Sequence, residues 1–293
     1  MKSFIFSSVA LLVCLTPATY SWGSEGHRTV GRIAQNFLTS DVSNQVATLL
    51  GPSDTLESVS TWADIIKRDP MWTWSARLHF IDTQDDPTAV CNVDETEIAL
   101  LEATIANYTT QLDSSNGFSS QERNIALKFL THFFGDITQP LHVCGKELGG
   151  NQHLVTFDGR STNLHAIWDT DMIRKRLTDF SSSPDNAVEA YAANLTDTIN
   201  SGNYKDISSG WVSCIGASQD AKQCPLQWAT DSDALNCQVV WGYVLANPDV
   251  DLDGEYYNSV VPSIDLQLAK AGYRLGTFLN QLLGKGGAKF LLA

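Results

Sequence analysis

The stretch from Ser119 to Thr138 reads as a helix whose inward face begins apolar and ends polar. Ser119-x-x-Glu122 is a capping box at its start, and Pro140 lies just past its end. Ile125 and Phe129 share one side of that helix, and His132 and Asp136 continue the same side by further turns. An imidazole and a carboxylate carried toward a core need partners, because a buried polar group left unpaired is costly. The fold must therefore close around polar groups as well as apolar ones. The same spacing returns at His165 and Asp169, beside Trp168 and Met172. One such pair is read most simply as a His–Asp hydrogen bond. Two of them point to a site.

Most of the remaining sequence carries helical periodicity. Ser24 is placed to cap a helix with Val30, Ile33, Ala34, Phe37 and Leu38 at helical spacing. Further helices are expected over Asp41 to Leu50, Leu56 to Lys67, Asp94 to Leu112 and Leu164 to Leu177. Others are expected over Pro184 to Asn200, Ala217 to Leu245 and Val261 to Leu283. Trp72 to Phe80 is aromatic and irregular, and is read as extended. Gly145 to Asn163 reads as a glycine-rich loop, with a short strand over Leu154 to Phe157 before the Asp158-Gly159 turn. No internal repeat, low-complexity tract or linker divides the chain. The expected fold is all-α, one mainly helical domain over residues 22–293 with minor short strands. A hydrophobic content of 43% is ample for its core.

The first residues stand apart. Lys2, an apolar run from Phe4 to Leu15 and small or polar residues through Ser21 form a signal-peptide pattern over residues 1–21, too short to span a bilayer. Cleavage after Ser21 would leave a chain that starts at Trp22. No later segment reaches transmembrane length, so the expected product is secreted and extracellular, with no stable membrane association; a monomer is expected. Two sequons, Asn107-Tyr108-Thr109 and Asn194-Leu195-Thr196, suit glycosylation of an exported protein. With Cys14 in the leader, the other cysteines are odd in number and leave one thiol over. Cys214 and Cys224 bracket a short loop and suit a local bridge. Cys91 with Cys237 would be a long-range bridge, with Cys144 as the odd thiol. Spacing alone leaves that pairing open.

A net charge of −14 argues against a protein that holds nucleic acid on a basic surface. Phosphodiester chemistry stays open if the positive charge is concentrated in bound metal. Imidazoles with carboxylates suit zinc, and the sequence adds His27, His79 and His142 to the two helical pairs. No Cys-x-x-Cys, Gly-x-Ser-x-Gly elbow or glycine-rich phosphate loop competes with them.

These residues fall into an ordered set of motifs. Trp22-Gly23-x-x-Gly26-His27, Trp62-Ala63-Asp64, His79-Phe80-Ile81-Asp82, His132-x-x-x-Asp136, Pro140-Leu141-His142, Gly149-Gly150-Asn151 and Asn163-Leu164-His165-x-x-Trp168-Asp169 follow one another. The set closely resembles the trinuclear-zinc, single-strand-specific nucleases of fungi and plants, the S-one/P-one nuclease family. That resemblance implies a helical fold with a cluster of three zinc ions in a cleft. It assigns one zinc to Asp64, His79, His132 and Asp136. A second would share the Asp136 carboxylate and take His27 with the α-amine and carbonyl oxygen of Trp22. The third would be held by His142, His165 and Asp169. The terminal chelate requires that cleavage free Trp22, which couples export to activation.

The resemblance further implies hydrolysis of single-stranded DNA and RNA to 5′-phosphorylated products, with action on 3′-nucleotides. Asp64 is the candidate for orienting or deprotonating the attacking water, and Lys67 for balancing charge in the transition state. A base pocket is implied at Phe80, Asp82, Gly149, Gly150 and Asn151, where Phe80 stacks and the polar groups read the base edge. His153 matches no motif position. A zinc-dependent phospholipase C-like phosphodiesterase and a non-catalytic secreted zinc-binding protein are the rival readings.

Overall fold

The helix announced by the capping box is the axis of the structure. The computed structural model describes residues 22–84, 86–87, 89–215 and 223–284, so the expected leader and the start expected at Ala217 lie outside it. In chain order the helices are α1 (Ser24–Asn36), α2 (Ser40–Leu50), α3 (Leu56–Val59), α4 (Trp62–Ile66), α5 (Glu95–Leu112) and α6 (Ser120–Asp136). Then come α7 (Leu164–Ala166), α8 (Met172–Leu177), α9 (Pro184–Asn200), α10 (Gln223–Leu235), α11 (Trp241–Ala246) and α12 (Glu255–Leu283). Wide π-turns over Ile167–Asp171 and Asn236–Val240 join α7 to α8 and α10 to α11. Strands β1 (Leu154–Phe157) and β2 (Arg160–Asn163) pair antiparallel across the Asp158-Gly159 turn. The described chain is mainly helical, as expected, with one small hairpin.

The Ser119 hydroxyl accepts from the Glu122 N–H, and the Ser119 N–H donates to the Glu122 carboxylate at 2.8 Å, closing the capping box. From Phe129 to Asp136 every residue of α6 is buried, so the helix is enclosed all round. Helices α1 to α5 and α12 pack around it. The α1–α12 crossing is close because Gly272 has no side chain; a Cβ there would lie 2.4 Å from that of Ile33. One apolar cluster gathers Phe129, Phe133, Phe134 and Trp228, and a second gathers Trp22, Trp168, Trp241 and Tyr256.

Buried polar side chains fix the turn that follows α6. Ser232 Oγ donates to the Ile137 carbonyl at 2.7 Å, and Gln267 Nε2 to that of Thr138 at 2.8 Å. Asn236 Nδ2 donates to Pro140 and Val143 carbonyls at 2.8 and 3.0 Å. Irregular backbone is thus kept inside the protein by side-chain partners. Disulfides form between Cys91 and Cys237 and between Cys214 and Cys224, while Cys144 is a buried thiol. Both sequon asparagines, Asn107 on α5 and Asn194 on α9, are exposed.

Several expectations need correction. Ser24 does not cap α1; Gly23 holds that position, without a side-chain cap. The helix expected over Leu56 to Lys67 is two short ones, α3 and α4. Ser58 and Ser60 hydroxyls bond back to the carbonyls of Thr55 and Glu57, which competes with helix continuation. Trp72 to Phe80 is not extended: Trp72 packs against Phe129 and the chain forms 3₁₀ turns at Thr73–Leu78. The strand Arg160–Asn163 was not foreseen in a segment of polar residues. Helix α12 starts ahead of Val261 and carries Pro262 within it, its first turns held by buried Tyr256, Tyr257 and Val260. No described helix is long and apolar enough to cross a membrane.

Candidate metal centre

Five imidazoles and three carboxylates from distant parts of the chain meet in one buried place. Three groups have candidate ligand atoms all within 4.8 Å of one another: Asp64–His79–His132, His27–His132–Asp136 and His142–His165–Asp169. All eight residues are buried. The irregular segments bring them there. Ile81 N–H donates to the His142 carbonyl at 2.7 Å, which lays the His79–Asp82 segment beside Pro140–Val143. The break between α3 and α4 leaves the Ser60 carbonyl to receive His132 Nδ1 at 2.6 Å.

Asp136 faces two groups at once. Its Oδ2 lies 3.0 Å from His79 Nδ1 and 3.2 Å from His132 Nε2, while its Oδ1 lies 3.4 Å from His27 Nε2. Asp64 Oδ1 stands 3.6 Å from His132 Nε2 and 3.7 Å from His79 Nδ1. In the third group Asp169 places Oδ2 3.0 Å from His165 Nε2 and Oδ1 3.8 Å from His142 Nε2.

Backbone carbonyls fix three of the ring tautomers. Nδ1 of His132, His142 and His165 meets the carbonyls of Ser60, His79 and Gly149 at 2.6, 2.7 and 2.7 Å. A carbonyl oxygen only accepts, so each Nδ1 carries the proton and each Nε2 turns a lone pair toward the carboxylates. Lone pairs then face carboxylate oxygens with few protons between them. Both Asp136 oxygens and His142 Nε2 are buried without a well-directed hydrogen bond. Divalent cations satisfy such an arrangement, and the nitrogen and oxygen donor set suits zinc.

The titration of these groups tells the same story. Burial pushes Asp136 up to about 6 and His142 down to about 3. Burial holds His27 and His79 well below the ordinary imidazole value. For His132 burial opposes charge, but Asp136 and Asp64 outweigh it and raise the ring. The protein thus holds His27, His79 and His142 neutral beside an Asp136 that ionises reluctantly.

A family model described as S1/P1 Nuclease matches residues 22–284. The chain belongs to the S1/P1 nuclease family. Nuclease P1 of Penicillium citrinum is 39% identical, over 92% of this chain and 100% of its own. Nuclease S1 of Aspergillus oryzae is 39% identical, over 92% of this chain and 95% of its own. Endonuclease 4 of Arabidopsis thaliana is 35% identical over 94% of both.

The other residues singled out in this S1/P1 nuclease chain have clear places. Trp22 is fully buried, with Nε1 donating to Thr138 Oγ1 at 3.1 Å, and the Gly23 N–H donates to the Asp169 carbonyl at 2.6 Å. Lys67 Nζ donates to Asp64 Oδ1 at 2.6 Å. Phe80 is half-buried and Asp82 exposed. Gly145 lets their segment lie close, since a Cβ there would meet the Thr83 carbonyl oxygen at 2.1 Å. Gly149 and Gly150 have φ of 61° and 77°, and Asn151 Nδ2 donates to the Leu148 carbonyl at 2.8 Å. His153 turns to Glu147 at 3.1 Å and is in none of the three groups.

Two contributions escaped the sequence reading. Buried Gln139 donates to Asp169 Oδ1 at 2.6 Å and accepts from the Leu141 N–H at 2.6 Å, orienting a carboxylate of the third group. Its place between Asp136 and His142 was the available signal. Gly135 is the other. A Cβ there would lie 2.8 Å from both Cε1 and Nδ1 of the His27 ring. Gly135→Ala is expected to displace His27 and to lower bound metal by one ion per chain, read by elemental analysis. Full metal content in that variant would show that His27 is not held by this contact.

Proposed function

We propose that this chain is a secreted, zinc-dependent endonuclease that hydrolyses single-stranded DNA and RNA to 5′-phosphorylated products and also acts on 3′-nucleotides. One observation carries the reading: the Asp136 carboxylate presents a different oxygen to each of two ligand groups. The first zinc site would comprise Asp64, His79, His132 and Asp136. The second would comprise Asp136, His27 and the amine and carbonyl oxygen of Trp22. The third would comprise His142, His165 and Asp169. The family match begins at Trp22, which supports removal of residues 1–21. Bound zinc would supply positive charge for phosphate and leaving-group oxygens, and acidity for the attacking water.

The chain's own groups would do the rest. Asp64, whose Oδ1 pairs with Lys67, would orient water and accept its proton. The Lys67 ammonium would offset charge that develops on the phosphate. Phe80 would stack on a base, while Asp82 and Asn151 bond its edge above the Gly149-Gly150 backbone. A base reaches such a pocket only when it has left the duplex, which gives single-strand preference a physical cause. The exposed Asn107 and Asn194 are the proposed glycan acceptors.

Digestion of a defined mixed single strand, beside its duplex and phosphatidylcholine, tests the proposal. The expected result is cleavage of the single strand alone, with phosphate on the 5′ ends of products. Equal cleavage of the duplex would remove the base-pocket argument, and hydrolysis of the lipid alone would replace the function.

A further inference from the structure

We propose a second nucleic-acid subsite, an aromatic shelf on the segment Met71–Trp74 that stacks a base a few nucleotides along the strand from the reacting phosphate. This rests on the nuclease reading of the neighbouring centre. Three large apolar side chains are exposed within a short stretch: Ile65 is 65% exposed, Met71 80% and Trp74 55%. Apolar side chains left in solvent this close along the chain, between Asp64 and His79, offer a surface for a partner.

The shelf is rigid. Trp72 and Trp74 stack with centroids 5.8 Å apart and planes at 29°. Trp72 is wedged edge-on against Trp62 at 5.7 Å and lies 5.9 Å from Phe129. Trp74 Nε1 donates to the Met71 carbonyl at 3.1 Å, which fixes the indole while leaving more than half of the residue in solvent. A flat ring backed by a second ring loses little freedom when a base lies on it.

The surrounding charge identifies the occupant. In a chain with 33 acidic and 19 basic residues, the stretch from Asp64 to Arg77 carries Lys67, Arg68 and Arg77 against Asp64 and Asp69. Lys67 and Asp64 pair with each other and Asp69 accepts from the Met71 N–H at 2.8 Å, so the stretch keeps a small net positive charge. Lys128 adds a cation 5.5 Å over the Trp62 ring. Aromatic faces interleaved with cations are what single strands use when sequence is not read. An apolar protein partner would have no use for the cations.

The reach fits. Ring contacts of 6.4, 5.4 and 5.4 Å lead from Trp74 through Phe129 and Phe133 to His79. These steps bound the separation from above, and a stacked strand rising about 3.4 Å per nucleotide covers such a span in a few nucleotides. The shelf is proposed to take a base beyond those of a dinucleotide bound at the centre.

The test uses the zinc-loaded enzyme with Trp74→Ala and compares kcat/KM on a dinucleotide and on a single strand of about twelve nucleotides. Loss of one base stack on a partly wet surface is expected to lower the long-substrate value roughly tenfold. The dinucleotide value is expected to stay unchanged, and Trp74→Phe to restore most of the loss. An unchanged long-substrate value, or an equal fall on both substrates, would overturn the shelf while leaving the nuclease reading intact. Failure of the unsubstituted enzyme to cleave either substrate would overturn both.

Discussion

Asp136→Asn is expected to strip two ions from the centre and to lower nuclease turnover by roughly 10³-fold or more, since each lost ion removes several kcal/mol of transition-state stabilisation. The carboxylate faces His79 and His132 with one oxygen and His27 with the other, so one substitution reaches both groups. An amide of the same shape carries no charge and offers one carbonyl oxygen in place of two anionic ones. Elemental analysis should find one zinc per chain instead of three. Three retained ions with full turnover would exclude the shared carboxylate.

The same variant should behave in the opposite way once metal is removed. Burial raises Asp136 from its ordinary value of 3.8 to about 6 in the ion-free fold. A raised folded-state pKa gives a stabilising contribution that is complete below pH 3.8 and lost as pH rises through 6. Above pH 6 the ionised group works against the ion-free fold. In chelator above pH 6, Asp136→Asn should therefore melt higher than the parent, and the two should converge below about pH 4. With zinc present the order reverses. A variant less stable than the parent in chelator at neutral pH would show that the carboxylate is satisfied without metal.

A chain that keeps Ser21 ahead of Trp22 is expected to lose one zinc and about 10²-fold or more in turnover. A free amine and the carbonyl oxygen of one residue can close a five-membered chelate ring, whereas an amide nitrogen has its lone pair tied up in resonance. The fold should tolerate the extension, because the Trp22 indole keeps its bond to Thr138 and Gly23 its bond to Asp169. Circular dichroism should thus match the processed chain while activity and metal content fall together. Unchanged turnover would take the terminus out of the centre.

What could be read in the sequence was whatever follows a local period. The enclosed face of α6, the His165–Asp169 repeat and the long helices announce themselves through spacing and caps. The family resemblance carried by the ordered motifs implied the rest of the proposed ligand set. What stayed hidden depends on backbone that departs from a period to serve the site. The break at Ser60 is visible only once His132 is seen to need its carbonyl. Glu147 and Leu148 share the positive φ of Gly149 and Gly150, a left-handed run that sequence suggests only at the glycines. That run aims the Gly149 carbonyl at His165. Gln139 was passed over despite its place between Asp136 and His142, because an amide next to a proline has many bland uses and its bond to Asp169 is a tertiary fact. The shelf at Trp74 passed unread for a similar reason: most tryptophans are core, and only the structure shows one in solvent.

The central claim is that burial of His27, Asp64, His79, His132, Asp136, His142, His165 and Asp169 together is sustained by zinc, and that zinc makes the chain a nuclease. Metal analysis of the purified, processed protein, paired with single-strand cleavage before and after chelation, tests it most directly. Three zinc ions per chain, activity abolished by the chelator and recovered on adding zinc, is the predicted outcome. Protein that contains no zinc and cuts equally well in chelator would contradict the account.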